Sequence, residues 1–348
     1  MPTTPNTAYE SLLEPALPEA PESPATPAHD PGVETYILQL HETADKLLTD
    51  RVSRGDAKLL ASALKELRYC FKVFNKYRGI PKVTIFGSAR TKPDHPAYLA
   101  AVEYGRKMAE AGYMVITGAA AGIMEAGHVG AGRDKSFGLN IMLPFESSAN
   151  PVILDDSKLM NLRYFFTRKL VFIKESDAVA LFPGGYGTHD EAFESLTLIQ
   201  TGKSHIFPLV LVDEPGGTYW KHWEQFVEEA MMKPGYTSFS DRAFYKITDN
   251  VDEAVKEVTQ FYRIYHSMRY VRQDLVLRLN QKLSQALLDK LSLDFKDIIV
   301  DGVIQQMDAL PAESNEPTLA HLPRLRFRFD RHGHGRLRML IDAINREG

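Results

Sequence analysis

Between Lys82 and Thr248 the chain repeats one pattern: a short apolar run, then in most cases a glycine, serine or proline, then a longer stretch with helical spacing. The runs are VTIFGSA, YMVITGAA, FGLNIML, AVALFPGG, FPLVLV and AFYKIT, rich in β-branched or aromatic residues. Strands this apolar must be covered on both faces, and strands separated by helices run parallel. The pattern predicts an α/β fold, a Rossmann-like doubly wound parallel sheet. Ligands of such sheets bind at the carboxyl ends of the strands, so the residues just after each run are where function is sought.

At 348 residues the chain exceeds what one core comfortably fills, and its flanks have a different texture. Residues 1–32 hold eight prolines among Ala, Glu and Thr, a composition that cannot repay the entropy of ordering, and they read as a disordered tail. Residues 33–79 read as N-terminal helices: Tyr36, Leu38 and Leu40, then Leu59, Leu60, Leu64, Leu67, Phe71 and Phe74 recur at helical spacing. A break at Ser53-Arg54-Gly55-Asp56 separates two of them, with Asp56 as N-cap. Residues 80–266 form the Rossmann-like unit. Residues 267–348 read as a small α+β domain: DLVLRLN and RLRFRFD alternate like half-buried strands, with helices near Gln281 to Leu291 and Leu337 to Ile344.

Bulk properties narrow the class. A formal charge of −4 gives no whole-protein attraction to nucleic acid or to a membrane. Cys70 is the single cysteine, so neither an internal disulfide nor a cysteine metal cluster can form. No run approaches the roughly 18 apolar residues that span a bilayer, and the first basic residue is Lys46, so no signal or transit peptide is read. A cytoplasmic protein without membrane partners is expected.

Three strand ends are glycine-rich: Gly87-Ser88, Gly118 to Gly122, and Gly184-Gly185-Tyr186-Gly187-Thr188. A helix start offers unpaired N–H groups and a positive dipole end, and glycine lets an anion approach the backbone. A phosphate bound by Gly184, Gly185, Gly187 and Thr188 follows, although turn chemistry alone also allows a plain strand-to-helix turn. Neither the dinucleotide fingerprint nor the P-loop pattern is present. Asp190 is read in the first helical turn, favoured by the dipole, while Glu191 and Glu194 share a face one turn beyond, where a nucleotide's ribose would lie.

PGGYGTHDE resembles the PGGxGTxxE signature of the LOG (Lonely Guy) family, phosphoribohydrolases of cytokinin riboside 5′-monophosphates and AMP, formerly labelled lysine decarboxylases. IFGSAR, TGAAAGIMEAG and TRKLVFIKESDAVALFPGG resemble further family elements in the same order, over about residues 80 to 265. The resemblance implies Glu191 and Arg168 as catalytic residues, the glycine turn with Thr188 as the phosphate site, no cofactor, and a homodimer or larger homo-oligomer in which the partner helps complete each site. This chain carries Thr167 where the family has Glu, and His189-Asp190 where it has Leu-Glu.

The expected reaction is hydrolysis of the N-glycosidic bond of a purine nucleoside 5′-monophosphate, AMP or an N6-modified relative. The alternative is a nucleotide-sensing module without catalysis. Ser88, Gly118, Glu125, Met160, Asn161 and Lys169 are candidate lining residues. His189 and His128 titrate near neutrality, but no ligand set for a metal is spelled out, and no metal is expected. Lys169 lacks the desolvated, cofactor-lined context of a Schiff-base lysine. In LPRLRFRFDRHGHGRLRML the arginines read as a solvated face opposite Leu325, Phe327 and Phe329, with no stacking platform for bases, so nucleic acid is not an expected partner.

Overall fold

Lys82–Phe86 (β1) is buried at every position, as are Met114–Thr117 (β2), Ala178–Leu181 (β5) and Leu209–Val212 (β6). Burial on both faces is what the unbroken apolar runs demand. Together with Ser136–Ile141 (β3), Leu159–Leu162 (β4) and Tyr245–Thr248 (β7) they form one parallel sheet in the order β4-β3-β2-β1-β5-β6-β7. The structure is a computed structural model and describes residues 31–142 and 149–348. The proline-rich segment lies, apart from its last two positions, outside the described residues.

The sheet is the predicted Rossmann-like doubly wound one, with a seventh strand, β4, that the apolar runs did not reveal. β4 is a four-residue edge strand whose burial alternates, so it lacks the continuous apolar signature of the inner strands. Pro96–Glu110 (α3), Ile123–Ala131 (α4) and Val251–Phe261 (α8) cover one face, where Ile85, Val115, Ala180 and Val210 meet Tyr104, Ile123, Ala126 and Val258. The other face is covered by Arg54–Asn75 (α2), Phe165–Glu175 (α5) and Tyr186–Gln200 (α6), through Phe74, Phe172, Ala192 and Ile199.

Ahead of α2 lies Pro31–Thr49 (α1), whose Tyr36, Leu38 and Leu48 are exposed. Ser53, not Asp56, is the N-cap of α2; its side chain accepts from the Asp56 N–H, because the helix begins one residue after Ser53. Buried Glu66 on α2 accepts from the Thr167 hydroxyl at 2.7 Å and the Arg163 N–H at 3.0 Å. A carboxylate from α2 thus reaches Thr167, the sequence neighbour of Arg168.

A second, antiparallel sheet has the order β10-β11-β9-β8, from Tyr265–Val271 (β8), Asp274–Leu279 (β9), Gln305–Met307 (β10) and Arg324–Phe327 (β11). Gln285–Asp294 (α9) and His334–Glu347 (α10) pack with it. Leu325, Phe327 and Phe329 are buried as expected. The arginines are not a uniformly solvated face: Arg324 and Arg338 are buried, the first against Glu313 and the second against Glu257 and Asp342. Arg326 pairs with Asp274 and Arg336 with Asp297. Hence much of the positive charge read in this run is paired with carboxylates of the same chain.

Candidate functional site

β1 has β2 on one side and β5 on the other, so the chain winds outward from β1 to β4 and returns to start the second half at β5. Helices leave the carboxyl ends of β1 and β5 in opposite directions there and open a crevice. A cleft of about 810 Å³ fills it, with Ser88, Arg90, Gly118, Asn140, Phe165, Arg168, the Gly184 to His189 segment and Glu191 among its walls. That volume is typical of a small-molecule site.

The glycines of the turn divide into two kinds. A Cβ on Gly184 would stand 2.1 Å from the Thr188 hydroxyl and 3.0 Å from the Ser88 nitrogen, so this glycine permits close packing. A Cβ on Gly185 or Gly187 would meet nothing within 4 Å, and neither backbone is left-handed. Protein packing therefore does not require glycine at Gly185 or Gly187; bare backbone facing open cleft is what an approaching ligand requires. Gly185, the N-cap of α6, makes no side-chain cap, and Gly185, Tyr186 and Gly187 all line the cleft. Thr188, 5% exposed, completes the turn.

α6 begins at Tyr186, so Asp190 falls in the second turn rather than the first. Lys169 holds Asp190 and Glu194 at 2.8 Å each, and these hydrogen bonds, against the effect of burial, keep its pKa above the ordinary lysine value. Glu191 sits between those acids in sequence, is 4% exposed, and its Oε2 is buried with no hydrogen-bond partner among the described residues. Burial lifts its pKa to about 7; Lys169 and Arg168 pull it down, and Glu194 and Asp190 push it up. Arg168 lies over the rings of Phe165 and Phe172, 5.0 and 5.8 Å from their centroids, which fixes its guanidinium at the cleft wall.

Ser88, Gly118, Arg168, Gly184, Gly185, Gly187, Thr188 and Glu191 are thus brought together. Glu125, Met160, Asn161 and Lys169 are not in the cleft wall. Met124, one position from Glu125, is the residue of α4 that lines it, and its Sδ packs on Gly118. Met160 is buried in β4, and Asn161 accepts from the Asn140 amide at 2.9 Å, holding the asparagine that does line the cleft. His128 is a core histidine bound to Thr117, Phe137 and Asn150, and burial lowers its pKa to about 4. Sequence reading passed over Tyr219, whose hydroxyl donates to the Gly184 carbonyl at 2.5 Å, since nothing local ties it to the turn. Among the described residues no group of three or more His, Cys, Asp or Glu side chains is placed to hold a metal ion, and no helix is long and apolar enough to cross a membrane.

Fold and cleft define a Rossmann-like α/β protein with its site at the sheet's switch point. Residues 117–258 match the family described as "Possible lysine decarboxylase", a LOG-family domain. No curated protein matches the chain. Among solved structures, TM1055 is 24% identical, with 52% of this chain and 99% of that one covered at a TM-score of 0.37. The molybdenum cofactor binding protein of Rippkaea orientalis is 18% identical, covering 52% and 97% at 0.37. DNA processing protein A of Helicobacter pylori is 15% identical, covering 54% and 83% at 0.38.

Proposed function

We propose that the protein hydrolyses the N-glycosidic bond of a purine nucleoside 5′-monophosphate, AMP or an N6-modified AMP, giving the free base and ribose 5-phosphate. The observation that carries this reading is the pairing of an open glycine turn with the buried Oε2 of Glu191 on the same helix, an oxygen with no hydrogen-bond partner among the described residues. Glu191 follows Gly187 by four positions, a rise of about 6 Å, which suits a phosphate on the turn and the sugar beside the carboxylate.

The 5′-phosphate binds the first-turn amides of Gly185 and Gly187 and the Thr188 hydroxyl. Binding there aligns the ribose, so that phosphate affinity is used at the reacting carbon. As the bond from C1′ to the base nitrogen breaks, its electron pair leaves with the base and C1′ becomes cationic. The ionised Glu191 stabilises that charge and takes a proton from the attacking water, whose oxygen bonds to C1′; the base nitrogen gains a proton in turn. Arg168, always charged, orients phosphate or ribose oxygens and does not transfer protons. Amine chemistry at Lys169 fits poorly, because two carboxylates hold its ammonium outside the cleft wall.

Chromatographic detection of free adenine from AMP tests the proposal, with Glu191→Ala as the control. Release by wild type that is lost in the variant supports hydrolysis. Tight AMP binding with no base released by wild type overturns it in favour of a nucleotide-sensing module.

A further inference from the structure

Against the glycine turn stands a pair, Tyr219 and His189, that the signature PGGxGTxxE does not specify. Tyr219 opens Tyr219–Val227 (α7), and its hydroxyl lies 2.5 Å from the Gly184 carbonyl oxygen and 2.7 Å from Nε2 of His189. A phenol has one proton and a carbonyl can only accept, so Tyr219 donates to Gly184. His189 must then donate from Nε2 to the Tyr219 oxygen, which fixes its tautomer. The two rings are stacked, with centroids 5.8 Å apart and planes 23° apart.

Tyr219 is in turn fixed from below. Asp213, 2% exposed at the end of β6, accepts from the Trp220 N–H at 3.0 Å and so ties down the start of α7. The Trp220 ring meets Tyr219 edge-on at 4.9 Å. The phenol thus sits on rigid elements and does not itself join the cleft wall, whereas its partner His189 does.

In a trans peptide the carbonyl and the following N–H point in opposite directions, and no described peptide bond is cis. Holding the Gly184 carbonyl on Tyr219 therefore turns the Gly185 N–H away from Tyr219, and Gly185 itself lines the cleft. A Gly-Gly peptide has the least intrinsic restraint against rotating away from that pose. We infer that Tyr219 and His189 are positioning residues for the anion site: the His189–Tyr219–Gly184 relay orients the Gly185 amide that receives the substrate's 5′-phosphate. The inference rests on the function proposed above, and it assigns a role to the histidine that replaces the family's usual leucine.

Calorimetric AMP binding and steady-state kinetics on AMP and adenosine test it, using wild type, Tyr219→Phe, His189→Leu and His189→Gln. Tyr219→Phe is expected to weaken AMP binding and raise KM for AMP about tenfold, as loss of one hydrogen bond implies, with kcat changed by less than about threefold. The preference for AMP over adenosine falls by the same factor, which a general loss of packing would not produce. His189→Leu shifts the same ratio in the same direction, and His189→Gln, which keeps an N–H donor, recovers part of it. If Tyr219→Phe fails to fold, the two His189 variants decide alone. An unchanged AMP-to-adenosine preference in the folded variants overturns the relay while leaving the proposed reaction standing. Should wild type bind AMP without hydrolysing it, the reaction falls and the relay is judged on affinity; if wild type binds no AMP at all, both fall.

Discussion

The Thr188 hydroxyl occupies the space that a side chain on Gly184 would need, 2.1 Å from the position of such a Cβ. Gly184→Ala therefore overpacks the turn and is expected to destabilise the protein by about 1–3 kcal/mol. Gly187 is the opposite case. It lies in the first turn of α6 with open space before it, so Gly187→Ala is expected to raise the melting temperature slightly, alanine being the better helix former by up to about 1 kcal/mol. The same methyl stands where the phosphate would lie, and AMP affinity drops at least about tenfold. Differential scanning calorimetry with AMP titration separates the two: a melting temperature that falls at Gly187 and holds at Gly184 would contradict this assignment.

Lys169 sets the charge state of the carboxylate it does not touch. Burial holds Glu191 near pH 7, with the Lys169 ammonium pulling that value down. Because the reaction uses ionised Glu191, kcat/KM should rise with pH through an acid limb near 7. Lys169→Met removes the cation and leaves Asp190 and Glu194 unneutralised beside Glu191, so the limb moves to higher pH. Activity at pH 6 then falls more than activity at pH 8.5. A pH–rate profile with an unmoved limb would mean that another group controls it.

The inner strands were legible because burial on both faces leaves a continuous apolar run, and the strand-end glycines marked the cleft. β4 and β8 were not legible: both are only partly buried, so Leu159–Leu162 and Tyr265–Val271 carry mixed residues without such a run. Arg168, Glu191 and the glycine turn could be found because they are close in sequence to one motif. Glu66 reaches Thr167, Tyr219 reaches Gly184 and Asn140 reaches the cleft across long sequence separations, and no local pattern encodes that. A one-residue error of helical phase separates Glu125 from Met124. The start of α6 at Tyr186 placed Asp190 beyond the dipole's reach and made it a partner of Lys169 instead.

The elevated pKa of Glu191 also has a stability consequence with a definite sign. A carboxyl whose folded value exceeds its unfolded value favours the folded state while protonated, and that advantage disappears as pH rises from about 4.5 to about 7. Ionised Glu191 is thus expected to destabilise the empty protein by up to about 3 kcal/mol above pH 7. Glu191→Gln removes the ionisation. It should raise the melting temperature at pH 8 by several degrees, change it little at pH 4.5, and abolish base release. Melting curves at both pH values check this, and a larger gain at the lower pH would reverse the assigned sign.

Glu313 shows the opposite linkage in the C-terminal sheet. It is buried between Arg324 and Arg278, and although burial opposes its charge, hydrogen bonds from Arg324, the Leu310 N–H and Arg278 bring its pKa down to about 2. Its contribution is present above its unfolded value of about 4.5 and is lost as pH falls toward 2. Arg324→Met leaves Glu313 with less compensation in a dry position and should destabilise the chain by about 3–5 kcal/mol, the usual effect of removing one partner from a buried ion pair. Glu313→Gln in the same background lifts the stranded charge, so the double variant should be more stable than Arg324→Met alone, with a positive coupling in a double-mutant cycle. Because Arg324 is internal, its loss should leave the salt dependence of any nucleic-acid binding unchanged, whereas neutralising exposed Arg328 tests the surface directly.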